Sequence, residues 1–187
     1  MILTPESCKN LSDNELAAKS LENVDYFSCL FQRYEKSMLR YIRRISAADE
    51  ETAHDILQEA FIKIWRNLNS FDKDLAFSSW VYRIVHNETI SIIRKSKSFG
   101  KNKTTDINLY NNVLSDEEDH ITENVPDAEY MVRMISDLPL KYKEVMILKF
   151  VEGKSYEEIS DILKMPEGTI AIRISRAKKI IRKIIDN

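Results

Sequence analysis

The segment from Gly168 to Ile185 has a charge distribution that points to a chemistry. It carries six basic residues and no acidic one. At about 100° per residue, its apolar side chains fall on one side of a helix. These apolar residues are Ile170, Ile174, Ala177, Ile181, Ile184 and Ile185. A solvated surface helix normally mixes both signs of charge, so an all-basic outer face favours contact with phosphate groups.

The outer face of this segment also contains residues that can contact base edges. The candidate DNA-contacting residues here are Ala171, Ile172, Arg173, Ser175, Arg176, Lys178 and Lys179. Ile172 lies at the centre of the face, where its side chain can neither donate nor accept a hydrogen bond. It can instead pack on a thymine methyl group, and a good direct contact is worth about 1 to 3 kcal/mol of discrimination. Cations near the helix end, such as Lys183, are also explained by the helix dipole, whereas Arg173 and Arg176 are not.

A second group of residues combines aromatic rings with cations. The group comprises Phe71, Phe77, Trp80, Tyr82, Arg83, His86 and Asn87. Cations neutralise phosphates, aromatic faces replace lost base stacking at about 1 to 3 kcal/mol per base, and an amide can read an exposed base edge. The pattern therefore favours binding of an unstacked base. The alternative is that Phe71, Phe77 and Trp80 are core residues and Arg83 is an ordinary surface cation.

A third feature is one apolar side chain on an otherwise polar helix face. Residues 53–68 have a regular apolar stripe, which leaves Asp55, Gln58, Glu59 and Ile62 on the opposite side. An isolated exposed Ile usually has no function. Beside Gln58 and Glu59, Ile62 can instead form the apolar centre of a docking surface for a partner helix.

Helices must position all three groups. The periodicity predicts one long helix over 27–45, a second over 53–68, a loop over 69–76 and a third helix to about Lys95, capped by Ser78 or Ser79. Towards the C-terminus, Leu138 and Pro139 open a helix that Gly153 closes.

Two short, closely linked helices follow. Ser155 and Glu158 form a capping box for the first of them, and Pro166 starts the second. This arrangement predicts a helix-turn-helix. A further capping box at Ser12 to Glu15 suggests an extra helix near the N-terminus.

Composition supports an all-α fold. The chain has 187 residues, of which only 3 are Gly and 4 are Pro, fewer than an all-β fold or a Gly-rich phosphate loop would need. With 43% hydrophobic residues the chain can form a core. We predict two small helical domains, residues 1–98 and 127–187, joined by a flexible acidic linker over 99–126.

The formal net charge of -2 conceals an uneven distribution. Residues 25–100 hold twelve basic and ten acidic residues, and residues 131–187 hold twelve and eight. Residues 101–130 hold two basic and eight acidic residues. Both apolar-rich blocks, 25–100 and 131–187, are thus positive, and the near-neutral total does not argue against nucleic-acid binding.

Other classes of site are not indicated. Cys8 and Cys29 are too few for a metal cluster or a secreted disulfide framework, and we interpret them as reduced thiols. No apolar run approaches the about 18 residues of a membrane span, so we expect a cytoplasmic protein. The scattered His54, His86 and His120 predict no catalytic centre and no metal or cofactor site.

Three stretches together resemble a known family. They are DILQEAFIKIW, SFDKDLAFSSWVYRIVHNETISIIRK and LPLKYKEVMILKFVEGKSYEEISDILKMPEGTIAIRISRAKK. In order and spacing they closely resemble bacterial RNA polymerase sigma factors of the extracytoplasmic-function group. The resemblance covers about residues 25–98 and 127–185. It implies two helical domains, called region 2 and region 4, that direct RNA polymerase to promoters by recognising and melting promoter DNA.

The resemblance also implies roles for individual residues. The surface that docks on core RNA polymerase corresponds to Asp55, Gln58, Glu59 and Ile62. The minus-ten element of the promoter would be recognised and melted by Lys63, Phe71, Tyr82, Arg83 and Asn87, beside the aromatic candidates Phe77 and Trp80. Region 4 would contact the upstream element through Lys149, Arg173, Ser175, Arg176 and Lys178. The acidic linker would thread through polymerase channels, and an anti-sigma factor is an implied partner.

Two other functions fit part of the sequence. A stand-alone helix-turn-helix regulator of duplex DNA would have the same C-terminal module, but it would not need the Gln58, Glu59 and Ile62 face. An interaction protein that occupies polymerase or an antagonist without reading DNA would tolerate loss of Arg173 and Arg176.

The residue at the centre of the outer face departs from the family pattern. Family members often carry a basic and a small polar residue where this chain has Ala171 and Ile172. We therefore expect Ile172→Ser to change the preferred upstream sequence by about 1 to 3 kcal/mol of discrimination, because it removes an apolar contact. A selection over randomised upstream elements measures this, and an unchanged preference would contradict it.

Overall fold

A computed structural model describes residues 8–73, 75–99 and 134–185, with the backbone alone at 96–99. Within these residues the fold is all-helical, which confirms the predicted class. The predicted acidic linker lies outside the described residues. Among the described residues, no helix combines the length and apolar character that crossing a membrane requires.

Four helices form the N-terminal unit. They are α1 (Asp13–Glu22), α2 (Asp25–Ser46), α3 (Glu50–Asn67) and α4 (Phe77–Phe99), with a 3₁₀ turn at Leu68–Ser70. The Ser12 and Glu15 capping box begins α1, as predicted. The Asp49 side chain accepts a hydrogen bond from the Thr52 amide and so caps α3. The apolar faces predicted for 27–45 and 53–68 are confirmed as the faces of α2 and α3 that pack together and against α4.

Residues 134–136 are helical, and the described part of the C-terminal unit then has three further helices. They are α5 (Leu140–Met146), which continues as a π-helical turn (Ile147–Val151), α6 (Tyr156–Leu163) and α7 (Glu167–Ile185). Gly153 has φ +68°, so this residue turns the chain after α5 without a steric penalty. The predicted capping box is present: the Ser155 hydroxyl accepts from the Glu158 amide, and the Glu158 carboxylate accepts from the Ser155 amide. These contacts confirm a helix-turn-helix of α6 and α7.

The two units pack against each other. Helix α6 lies against α4, and α5 with its π-helical turn lies against α2. Buried side chains form one continuous core from Leu30 and Tyr41 in the N-terminal unit to Leu148 and Ile159 in the C-terminal unit. The prediction of two domains joined by a linker included no contact between them. Helix periodicity does not show which helix faces of one unit meet those of the other.

Two local predictions are wrong, and the apolar face of α7 is only partly covered. Helix α4 begins at Phe77, so Ser78 and Ser79 lie inside its first turn and do not cap it. Ile184 and Ile185 are exposed, because α7 extends past the elements that cover Ile170 and Ile174. The two cysteines are joined in a disulfide, because the segment before α1 folds back beside α2 and brings the Cys8 and Cys29 Cα atoms within 6.2 Å.

Candidate functional site

The polar face of α3 is open to solvent. Asp55, Gln58 and Glu59 are exposed, and Ile62 retains 43% of its accessible surface. Trp65, which the helix pattern assigned to the core, is 39% exposed and lies 5.0 Å from the Phe27 ring. The structure thus places Ile62 and Trp65 one turn apart on the exposed side of α3. Together they widen the predicted apolar centre, and the outward Trp65 is the residue that the periodicity missed.

The aromatic residues of the second group form a packed cluster. The ring centroids of Phe71 and Phe77 are 5.0 Å apart, those of Phe71 and Trp80 are 5.3 Å apart, and those of Phe77 and Trp80 are 5.6 Å apart. All three side chains are buried. The core alternative therefore holds for the rings themselves, which form an aromatic floor beside the described loop residues 72, 73, 75 and 76.

A small cleft lies above this floor. It is lined by Leu75, Ala76, Ser79, Trp80 and Arg83 of the N-terminal unit and by Asp161 of α6. Its volume of about 10 Å³ is room for about one water molecule, far less than a base requires. The buried Ser79 hydroxyl has no hydrogen-bond partner among the described residues. Sequence reasoning gave Ser79 only as a helix cap; its position in a cleft could not be read from periodicity.

The contact between the two units buries Tyr82. The pattern placed it on an open face, but it is buried because Glu152 and Lys154 cover it. Its hydroxyl donates a hydrogen bond to Glu152 Oε2 at 2.7 Å, and Lys154 Nζ lies 4.9 Å from the ring centroid. Glu152 Oε1 also accepts from Arg44 at 2.9 Å. Burial, with the adjacent Glu152 carboxylate, raises the pKa of Tyr82 well above its usual value.

His86 is buried at the same junction. Its Nδ1 lies 2.8 Å from the Tyr41 hydroxyl, and its Nε2 lies 3.6 Å from Glu144 Oε2. Burial, together with Arg94, lowers the pKa of His86 to about 4. His86 is therefore neutral at neutral pH, so its contact with Glu144 is not an ion pair. Burial also raises the pKa of Glu144, although Arg173 opposes this.

Lys63, Arg83 and Asn87, the other candidates for minus-ten contact, differ in their exposure and in their contacts. Lys63 forms an ion pair with Glu88, which spans α3 and α4. Arg83 is half-buried beside the cleft, and Asn87 is exposed. The structure brings the candidates into one region, but only Asn87 among them is fully open.

The outer face of α7 is accessible. It differs in this from the α4 face, which we define by Tyr82, Arg83, His86 and Asn87 and which the C-terminal unit partly covers. Ala171, Ser175 and Arg176 are exposed, Lys179 is half-buried, and Ile172 retains 54% of its accessible surface. The predicted position of Ile172 at the centre of the outer face agrees with this exposure. The C-terminal unit therefore presents its helix-turn-helix to solvent while it covers α4.

Three predicted cations of the C-terminal unit are held by neighbouring groups. Arg173 Nη1 donates to Glu144 Oε1 at 2.6 Å and to the Lys141 carbonyl oxygen at 3.4 Å. Lys178 Nζ lies 5.3 Å from the Phe150 ring centroid, and Lys149 Nζ lies 4.8 Å from the Tyr156 ring centroid. These contacts orient the three cations and tie α7 and α6 to the end of α5.

Comparisons with known proteins agree with this architecture. Residues 30–99 match the family model of Sigma-70 region 2, and residues 128–181 match that of Sigma-70, region 4. The chain is 34% identical over 167 residues to the ECF RNA polymerase sigma factor SigW of Bacillus subtilis, covering 85% of this chain and 88% of that protein. The chain belongs to the ECF sigma factors. This sigma factor accordingly functions in directing transcription initiation.

Solved structures share the fold of the sigma factor. The structure of CnrH in complex with the cytosolic domain of CnrY matches with a TM-score of 0.67 at 22% identity, over 93% of this chain and 97% of that chain. The sigma factor RpoE in complex with the anti-sigma factor NepR, from Bartonella quintana, matches with a TM-score of 0.63 at 22% identity, over 86% and 96%. At this identity the likeness concerns the fold.

The buried His86 makes the stability of this sigma factor depend on pH. Because its folded pKa lies below its ordinary value of 6.5, the unfolded state binds more protons between about pH 6.5 and 4. We expect the His86 contribution to the free energy of unfolding to fall by about 2 kcal/mol between pH 7 and 5. Urea denaturation of His86→Asn at both pH values should show a smaller loss than that of the parent chain.

The matched control for this prediction is His54→Asn, a change in the half-exposed histidine of α3. Protonation of Glu144, with its raised pKa, works in the opposite direction, so only the difference between variant and parent reports on His86. Equal pH dependence in His86→Asn and the parent would contradict the assignment.

Proposed function

We propose that this sigma factor works in the cytoplasm without catalytic activity of its own. Its binding energy is divided among core RNA polymerase and two elements of promoter DNA. The observation that carries the proposal is the separation of three surfaces on one chain: the open α3 face, the α4 face with its cleft, and the open outer face of α7. A stand-alone regulator would need only the last of these.

The α3 face is the proposed contact with core polymerase. Asp55, Gln58 and Glu59 surround Ile62 on the exposed side, and Trp65 extends the apolar area by one helical turn. Apolar centres with polar rims are typical of protein interfaces, and buried Trp residues often carry much of the binding energy. The sequence resemblance assigned the first four residues to this role, and we add Trp65.

The cleft beside the aromatic floor is the proposed site for a base flipped from the minus-ten element. Trp80 supplies an apolar wall, Arg83 a cation, and the unpartnered Ser79 hydroxyl a group that can hydrogen-bond to a base edge. Asn87 lies open one turn further along α4. Since the cleft has room for only about one water molecule, entry of a base requires α6 to move away, with Asp161 leaving the rim.

The outer face of α7 is the proposed reader of the upstream element. Ile172, Ser175 and Arg176 are open for base and phosphate contacts. Arg173, held by Glu144, would orient the recognition helix as well as approach DNA. The proposal thus separates residues that read the sequence from residues that set the angle of the helix.

We propose further that residues 1–98 and 127–187 are separable domains and that the packed arrangement is a closed state. In that state the α7 face can meet duplex DNA, but the α4 face cannot meet a melted strand. Polymerase would open the two units, and an anti-sigma factor would hold the sigma factor away from polymerase. The likeness to CnrH in complex with CnrY and to RpoE in complex with an anti-sigma factor supports the second partner.

Run-off transcription with bacterial core polymerase tests the proposed function. We expect a promoter-dependent transcript that requires this chain. The double change Gln58→Ala and Glu59→Ala should lower the transcript about tenfold or more, because it removes polar contacts next to the apolar centre. Arg176→Ala should lower it by weakening the upstream contact, worth about 1 to 3 kcal/mol if it is bidentate to a base.

Glu35→Ala, at a half-exposed position of α2 outside the three surfaces, is the matched control and should leave the transcript unchanged. A duplex gel shift by the chain alone, with no effect of polymerase on transcription, would favour the stand-alone regulator. Full activity in Arg176→Ala would instead favour the interaction protein that does not read DNA.

The closed state can be tested at Glu152. Glu152→Ala removes the acceptor shared by Arg44 and Tyr82, so the closed state should lose about 1 to 3 kcal/mol. We expect the free protein to bind a mixed-sequence single-stranded oligonucleotide about tenfold more tightly by fluorescence anisotropy. Glu157→Ala, an exposed carboxylate of α6, controls for the change in net charge. Equal gains in both variants would mean that charge alone, and not opening, explains the effect.

A further inference from the structure

The two cysteines of the chain form a covalent link that the proposed function does not use. The disulfide joins Cys8, before α1, to Cys29 in α2, 21 positions along the chain. Both side chains are buried, at 3% and 6% exposure. The link encloses α1 and its two flanking turns in one covalent loop.

A disulfide is unusual for a protein of the proposed location. In bacterial cytoplasm, thiol reductants keep most cysteines reduced, and disulfides that do form there are usually transient or redox-sensing. This step rests on the cytoplasmic role proposed above. We propose that Cys8 and Cys29 are a reversible redox pair whose oxidation fixes α1 on α2 and thereby orders loop residues 71–73 beside the proposed minus-ten site.

Helix α1 depends on external contacts for its stability. It has ten residues, and only Leu16, Ala17 and Ser20 are buried. A helix of this length is marginal in isolation, so its contacts with the rest of the unit decide whether it forms. Loss of one strong contact should therefore be visible as opening of the whole helix.

The contacts near the start of α1 act on the same segment as the disulfide. The Arg33 guanidinium donates to the Cys8 and Leu11 carbonyl oxygens, both at 3.0 Å, and pairs with Asp13. The Tyr34 hydroxyl also donates to Asp13. In the reduced protein these noncovalent contacts, several of them exposed to solvent, would hold the segment from Cys8 to Asp13 by themselves.

Two connections run from this segment to the loop. Asn14 Nδ2 donates to the Lys73 carbonyl oxygen at 3.1 Å, which fixes the loop backbone directly. Tyr34, which holds Asp13, has its ring centroid 6.0 Å from that of Phe77 in the aromatic floor. A well-ordered α1 therefore restrains the loop backbone at Lys73 and the ring of Phe77.

The chemistry is thiol-disulfide exchange with a low-molecular-weight disulfide such as glutathione disulfide. One cysteine thiolate attacks the oxidant and releases one glutathione thiolate, which leaves a mixed disulfide on the protein. The second cysteine thiolate then attacks the protein sulfur of that mixed disulfide and releases the second glutathione. The protein loses two electrons and two protons, and the oxidant becomes two thiols; the reverse sequence with reduced glutathione restores both cysteines.

Full-length protein equilibrated in glutathione buffers of graded redox ratio tests the proposal. Maleimide labelling and intact mass should show a single transition from two free thiols to none. Hydrogen exchange should then be slower in the oxidised protein over α1 and over 71–73. For a loop of this length the chain-entropy model gives a stabilisation factor on the order of 10² for α1. Cys8→Ser and Cys29→Ser should both show the faster exchange in every buffer.

Three results would overturn the proposal: two free thiols in the most oxidising buffer, a disulfide that excess reduced glutathione does not open in the folded protein, or identical exchange over 71–73 in both redox states. Run-off transcription in parallel reports on the proposed function separately. Loss of transcription in both redox states would contradict that function, whereas the thiol count and the exchange rates would still decide on the redox pair.

Discussion

The carboxylate of Glu152 is the interaction on which the arrangement of the two units depends. One oxygen accepts from Arg44 of α2, the other accepts from Tyr82 of α4, and the side chain is only 9% exposed. A buried carboxylate is costly unless its oxygens are satisfied, and here both donors come from the other unit. Separation of the units would expose all three groups to water, so their mutual hydrogen bonds act together with the continuous apolar core to hold the junction. Such a contact can be replaced by another anion of suitable shape.

That replacement links the junction to promoter binding. The groups that Glu152 satisfies, a guanidinium and a tyrosine hydroxyl, can equally serve a phosphate. Lys154 adds a cation from the C-terminal unit, 4.9 Å from the Tyr82 ring, and Asp161 lies at the cleft where a base would enter. The C-terminal unit thus places carboxylates where the proposed minus-ten strand would lie. Under the proposed function, closing of the units and binding of that strand would be mutually exclusive by geometry and by charge.

How much of this the sequence could predict depends on the range of the interaction. The capping boxes at Ser12 and Ser155 and the apolar stripes of α2 and α3 follow from spacing within one helix, and they were predicted correctly. The exposure of Ile62 and Ile172 follows from the same periodicity. Burial of Tyr82 and His86 depends instead on which helix faces meet between units, and the Cys8 to Cys29 disulfide depends on the path of the chain before α1. A periodicity of 3.6 residues contains neither kind of information.

The asymmetry between the two proposed DNA surfaces also explains why the net charge of -2 says little about binding. In the C-terminal unit, Glu144 and Glu152 face the N-terminal unit, while Arg176 and its neighbours on α7 face solvent. The unit is therefore polarised, with negative charge at the junction and positive charge outside. Ile172 and Arg176 are open to an approaching duplex, whereas Glu144 and Glu152 are paired with Arg173 and Arg44. Under the proposed function, closure would conceal the α4 surface and leave the α7 surface open, so duplex contact would come first and contact with the melted strand only after the units separate.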